Sequence, residues 1–166
     1  GQWDRALTQL GVVSEMDAST LMMAQAYREA IQCEALRSDV FSGRHSPLLF
    51  GEPEQWQALM MEALRCTADG RYAEAERLRN EAFESAPATA GRITTATDPE
   101  QGTAFEWIAD ADTRLGPLIE AFVNGRYYWI PFHRIREIQI ETPEDLRDLV
   151  WMPAHFVWSN GGDSVA

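Results

Sequence analysis

Residues 118–132 read LIEAFVNGRYYWIPF, two runs of β-branched and aromatic residues on either side of Asn124-Gly125. Asn-Gly is the strongest short-range signal for a two-residue hairpin turn, because both positions of that turn need a positive φ. The turn length also sets which residues of the two strands face each other. The stretch therefore predicts an antiparallel hairpin with the cross-strand pairs Val123–Arg126, Ala121–Tyr128 and Ile119–Ile130.

Both faces of this predicted hairpin are apolar. The face opposite Ile119 and Ala121 carries an acid and three aromatic residues, which are Glu120, Phe122, Tyr127 and Trp129. Two interpretations follow, since an antiparallel sheet commonly leaves one polar face to solvent. Either the β module covers one face and the helical half the other, or an exposed aromatic patch binds a partner. The second interpretation gives candidate partner-binding residues, which are Phe122, Tyr127, Trp129, Trp151 and Trp158.

The β pattern continues on both sides of the hairpin. Residues 105–166 are predicted to form a small, mostly antiparallel β module, SH3-like or a partial barrel. Its other predicted elements are a short strand opening at Phe105, Trp107 and Ile108, a strand over 137–141, a helix starting at Thr142-Pro143 with Leu146 and Leu149 on its apolar side, and a strand over 151–158. The turn signal Asn160-Gly161-Gly162 has a short tail after it, which predicts a truncated C-terminus.

The front half of the chain has helical periodicity. In GRYAEAERLRNEAFESAP, residues 70–87, a turn glycine, an aromatic residue, small residues and a stopping proline follow the order of the second half of a tetratricopeptide-type repeat. GQWDRALTQLGVV, which starts at Gly1, repeats this pattern about two periods earlier. Apolar residues spaced three and four apart predict further helices over about 19–41 and 54–68.

These patterns together predict an α+β protein in three segments. A tetratricopeptide-like helical region covers 1–87, a linker 88–104 and the β module 105–166. The linker is predicted because its Thr, Ala, Gly and Pro residues show no periodicity. The first repeat begins at its internal turn, so a truncated N-terminus is predicted as well.

Charge and cysteine content exclude several classes of partner and compartment. The net charge is −12 and no block of Lys or Arg stands out. Nucleic acids and anionic membranes both require clustered cations, so neither is expected as a partner. Cys33 and Cys66 lie in helix-like stretches, which favours buried thiols over a disulfide. No apolar run is long enough to span a membrane, and a cytoplasmic location is expected.

The residue pattern assembles no catalytic site, no metal site and no cofactor site. His45, His133 and His155 lie in separate segments without metal-ligand spacing. Phosphate-binding glycine motifs and a nucleophile elbow are absent from the sequence. Asp110 and Asp112 with a histidine give a weaker alternative, a metal-dependent enzyme. A structural dimerisation module is the other alternative.

Two long stretches resemble a known family. Residues 105–162, FEWIADADTRLGPLIEAFVNGRYYWIPFHRIREIQIETPEDLRDLVWMPAHFVWSNGG, and residues 46–65, SPLLFGEPEQWQALMMEALR, resemble the ImpE family, also called SciE or TagJ. The resemblance implies a non-catalytic accessory protein of the bacterial type VI secretion system. It also implies binding to the N-terminal helical segment of the contractile sheath's small subunit, and a link to the AAA+ ATPase that recycles the sheath. Family members extend past both ends of this chain.

Overall fold

The front of the chain is built from helices. The computed structural model describes residues 2–95, 97–144 and 148–166, and these hold four α-helices. They are α1 (Trp3–Met16), α2 (Leu21–Phe41), α3 (Gln55–Ala68) and α4 (Tyr72–Ser85). The predicted helices over 19–41 and 54–68 and the helix after Gly70 are confirmed. Gly70, with a φ of +77°, makes the turn between α3 and α4, whereas Gly1 lies outside the described residues.

The helices pack in pairs. The α3–α4 pair closes through small and branched side chains, which are Ala63, Cys66, Ala75 and Leu78. Helix α1 lies against α2 without burying any residue of its own. The assignment of these pairs to tetratricopeptide repeats stays a prediction, since helix pairs of this kind occur in other helical folds too.

The described residues also contain eight short strands in three sheets. They are β1 (Leu48–Leu49), β2 (Gly91–Thr95), β3 (Asp98–Phe105), β4 (Leu118–Val123), β5 (Arg126–Pro131), β6 (Ile135–Ile140), β7 (Ala154–Trp158) and β8 (Asp163–Val165). The sheet orders are β1-β5-β4, β2-β3 and β6-β7-β8. The four helices end by Ser85 and all strands but β1 follow them, so the fold is α+β, as predicted. The SH3-like or partial-barrel form stays a prediction.

The β4–β5 hairpin forms as its sequence predicts. Asn124 and Gly125 have φ values of 50° and 69°, and all three predicted cross-strand pairs are present. Strand β1 adds to β5 in parallel, with Leu49 opposite Trp129. Strand β4 therefore lies at the open edge of its sheet.

The structure differs from the prediction between residues 88 and 108. The segment predicted to be an aperiodic linker contains the antiparallel β2–β3 ribbon, in which Gly91 pairs with Phe105. A Cβ added at Gly91 would lie 2.5 Å from the Phe105 ring, so the ring fits there because residue 91 has no side chain. Phe105 thus ends a strand and does not open one, and Trp107 is 68% exposed. The division into domains at this segment stays a prediction.

The predicted helix after Thr142 is also not seen among the described residues. Residues 142–144 have no regular structure and 148–150 form a turn, while Leu146 lies outside the described residues. The backbone N–H of Glu144 donates to Asp148 Oδ2 at 2.9 Å. The strand predicted over 151–158 starts only at Ala154, after Pro153, and β8 pairs with it as a return strand.

Two cores cover the two faces of the hairpin. Tyr127 and Trp129 pack with residues of α2, α3 and α4, including Val40, Met60 and Ala82. Val123 and Ile130, on the other face, pack with Phe156 and Trp158. The helices therefore cover Tyr127 and Trp129 on one face and the β6-β7-β8 sheet covers Val123 and Ile130 on the other, as the first interpretation predicts, whereas Phe122 is half-buried.

Candidate functional site

A groove of about 790 Å³ runs along the open edge of β4. Side chains from both faces of β4 line it, Ile119 and Ala121 from one and Glu120 and Phe122 from the other. Because alternate residues of a strand point to opposite faces, this is possible only at the strand's edge. Residues of α2 and of the β6-β7-β8 sheet line the same groove. We call this groove the slot.

One wall of the slot is a single face of α2. Its residues recur at helical spacing and are Ala26, Glu29, Ala30, Cys33, Glu34 and Arg37. The small side chains at 26, 30 and 33 leave the helix backbone accessible to a close neighbour. The opposite wall is apolar and belongs to the β6-β7-β8 sheet. Its residues are Ile138, Ile140, Ala154, Phe156 and Val165.

The lip of the slot is formed by residues 150–153. Trp151 ties this lip to α2, since its Nε1–H donates to Glu34 Oε1 at 3.3 Å and its ring lies 6.2 Å from that of Tyr27. The hairpin turn at Asn124 and Gly125 also lines the slot. A Cβ added at Gly125 would lie 2.7 Å from Glu29 Oε2, so the turn touches α2 directly.

A chain of polar contacts anchors α2 to the hairpin at the base of the slot. Arg37 Nε and Nη2 donate to the two carboxylate oxygens of Glu120, each at 2.7 Å. The Tyr127 hydroxyl donates to the same carboxylate at 2.7 Å, and Trp129 Nε1–H donates to that hydroxyl at 2.8 Å. The bond to Glu120 raises the pKa of Arg37, and burial raises the pKa of Tyr127. Arg37 therefore stays charged and is neutralised by Glu120.

The structure separates the five candidate partner-binding residues into two groups. Tyr127 and Trp129 are 0% exposed and Trp158 is 4% exposed, so these three are core residues. Phe122 and Trp151 are half-buried and line the slot. Sequence reasoning missed the α2 wall. The sequence signal for this wall is the helical spacing of the small residues Ala26, Ala30 and Cys33. The same spacing is equally typical of a helix packed against another helix.

The residues considered for metal chemistry are engaged elsewhere. The carboxylate of Asp112 is paired with Arg114, and Asp110 accepts the backbone N–H of Asp112 at 2.7 Å. His133 contacts Glu54 and His155 contacts Asp163, each at 3.1 Å. Within residues 2–95, 97–144 and 148–166, no group of three His, Cys, Asp or Glu residues is placed to hold a metal ion. In the same ranges, no helix combines the length and apolar character needed to cross a bilayer.

The wall of the slot includes a buried cysteine, Cys33. Burial, with the nearby charges of Glu29 and Glu34, raises the pKa of its thiol to about 11. Because the thiolate is the nucleophile, we expect Cys33 to react with iodoacetamide at pH 8 at least about 100-fold more slowly than in the urea-unfolded protein. Mass spectrometry of the Cys33 peptide over time measures this rate. Rates within threefold of each other would contradict a thiol held protonated in the slot.

Known proteins match both the sequence and the fold. Residues 102–166 match the family described as ImpE protein. The chain is 51% identical over 166 residues to the type VI secretion system accessory component TagJ of Pseudomonas aeruginosa, and it covers 57% of that protein. It superposes with a TM-score of 0.84 on a crystal structure of protein VPA1032 from Vibrio parahaemolyticus, at 22% identity, covering 99% of this chain and 60% of that one. The chain thus spans less than two thirds of either relative.

Proposed function

Because the chain belongs to the ImpE family, we propose that it is a non-catalytic accessory protein of a bacterial type VI secretion system that works by binding other proteins. The name of the Pseudomonas aeruginosa relative, an accessory component, supports this role. We also propose that it acts in the cytoplasm, where its two free cysteines stay reduced.

The slot is the observation that carries a binding function. It is open, long and mostly apolar, and two of its walls come from rigid elements, α2 and the β6-β7-β8 sheet. Apolar grooves of this kind accept the apolar face of an amphipathic segment. Phe122 and Trp151, both half-buried, supply aromatic surface of the type enriched at protein interfaces.

The proposed occupant of the slot is the N-terminal helical segment of the small subunit of the contractile sheath. The family resemblance supports this partner, and the small residues of α2 support a helix as the guest because they allow close approach of two helices. A link to the AAA+ ATPase that recycles the sheath is proposed on the resemblance alone.

A structural dimerisation module is the second candidate. The exposed apolar residues around the α1–α2 turn favour it, among them Met16, Leu21 and Met22 with exposures of 81%, 53% and 85%. Light scattering across concentration separates the two candidates. A constant monomer mass excludes dimerisation, whereas a mass that doubles with concentration supports it.

Filling the slot is expected to weaken partner binding. In Ala30→Trp a large side chain occupies the α2 wall, so the affinity for a synthetic N-terminal peptide of the sheath small subunit should fall at least about tenfold, or about 1.4 kcal/mol. Isothermal titration calorimetry measures both affinities. Ala73→Trp, at an exposed position of α4, is the matched control and should bind like the parent.

Two outcomes of this titration would overturn parts of the proposal. If the parent protein shows no heat with the peptide, the sheath segment is not its partner. If Ala30→Trp binds as tightly as Ala73→Trp, the slot is not the binding site. Isotope-edited NMR of the bound peptide reports its conformation, and an extended peptide paired with the open edge of β4 would overturn the helical guest.

A further inference from the structure

We infer that the slot selects its ligand by charge, taking a segment whose apolar side chains enter the slot while a Lys or Arg side chain meets Glu29 and Glu34. This inference rests on the proposed function, because it concerns the same slot and describes the chemistry of its occupant. A shape-selective groove would accept any amphipathic segment, whereas this one should prefer a basic segment.

The two carboxylates lie on the wall that a guest must touch. Glu29 and Glu34 flank Ala30 and Cys33 on the face of α2 that lines the slot. Glu29 accepts a hydrogen bond from Gln25 Nε2 at 2.7 Å, and Glu34 accepts one from Trp151 Nε1 at 3.3 Å. These neutral donors orient the carboxylates but leave their charges in place. Each carboxylate also keeps acceptor positions for a further donor.

The cationic side chain among those that line the slot, Arg37, is already engaged. Arg37 gives Nε and Nη2 to Glu120, so its charge is offset by that carboxylate. Among the described residues, no ion pair reaches Glu29 or Glu34. The side chains that line the slot comprise three carboxylates and one guanidinium, a net charge of −2.

The surroundings strengthen the effect of this charge. The wall facing α2 is apolar, with Ile138, Ile140 and Phe156, and a bound segment would exclude more water. Charges in such a partly buried site are screened less by salt than charges on an open surface. Burial, and after it the charges of Glu29 and Glu34, raise the pKa of the Cys33 thiol on the same wall. A cation entering there is stabilised, and an anion is repelled.

The same charges argue against a second copy of this chain as the occupant. The chain carries a net charge of −12, so two copies repel each other at low ionic strength. A basic segment of another protein meets the opposite field and is attracted from a distance. Charge complementarity therefore favours a cationic segment of a different protein.

Two synthetic peptides test the inference. Both share one amphipathic helix design with a Leu-rich apolar face, and their polar faces carry either Lys or Gln. Fluorescence anisotropy with the full chain should show that the Lys peptide binds about tenfold more tightly at low salt, with the advantage shrinking as salt shortens the screening length. In the double variant Glu29→Gln/Glu34→Gln, the two peptides should bind equally.

The matched control keeps the total charge of that double variant. Glu76→Gln/Glu84→Gln removes two exposed carboxylates of α4, and it should keep the preference for the Lys peptide. Charge selection by the slot is overturned if the parent binds both peptides equally, or if Glu29→Gln/Glu34→Gln retains the preference. A parent that prefers the Lys peptide but ignores the sheath peptide would overturn the partner assignment and leave this inference standing.

Discussion

Replacing Trp129 by alanine is expected to lower the free energy of unfolding by about 3–5 kcal/mol. The Trp129 side chain is 0% exposed and packs in the core where α2, α3 and α4 meet the hairpin. Alanine would leave a cavity that these rigid elements cannot close, and the Tyr127 hydroxyl would lose its donor, Trp129 Nε1–H. Urea unfolding followed by circular dichroism measures the change.

Trp107→Ala is the matched control for this experiment. The same substitution at a side chain that is 68% exposed should change the free energy of unfolding by less than about 0.5 kcal/mol. Equal losses in the two variants would contradict the burial of Trp129 between the helices and the hairpin.

The same urea unfolding experiment also tests the predicted division into segments 1–87 and 105–166, through the number of unfolding transitions. The core around Trp129 contains Met60 and Leu64 from α3 as well as Leu118 from β4. If this shared core holds both segments together, fluorescence and circular dichroism should report one unfolding transition at one urea concentration. Two separated transitions would support independent domains.

The elements that could be predicted from the sequence are those whose signals are local. Asn124-Gly125 needs only its own φ values to form the turn, and the turn length then sets every pair of the hairpin. Helices α2 and α3 carry apolar residues at helical spacing, and Gly70 marks the turn before α4. These elements require no knowledge of the rest of the fold.

The elements that could not be predicted depend on distant partners. Strand β1 is two residues long and exists because Leu48 and Leu49 pair with β5. In the β2–β3 ribbon, the strand residues Gly91–Thr95 are all exposed. Because neither face of this strand is buried, its sequence has no alternation of apolar and polar residues. The slot is lined by α2, by β4 and by the β6-β7-β8 sheet, which are far apart in the chain, so no single segment encodes it. Burial of Tyr127 and Trp129 depends on the same packing.

Replacing Glu120 by glutamine is expected to lower the free energy of unfolding by about 2 kcal/mol. A hydrogen bond to a charged group contributes about 1.5–3 kcal/mol to stability. The glutamine keeps the size of the side chain but cannot accept both Arg37 bonds and the Tyr127 bond. The expected loss is smaller than for a fully buried pair, since the Arg37 and Glu120 side chains are 37% and 23% exposed.

A double-mutant cycle with Arg37→Met isolates the coupling between Arg37 and Glu120. Glu81→Gln is the matched control, since its partner Arg77 makes the same kind of contact at the surface and the expected loss is below about 0.5 kcal/mol. Additive losses at Arg37 and Glu120 would show that the pair does not tie α2 to the hairpin. With real coupling, Glu120→Gln also leaves Arg37 without a counter-charge in the slot. The preference for the Lys peptide should then fall as the slot loses negative charge, linking the stability of this contact to the selectivity of the site.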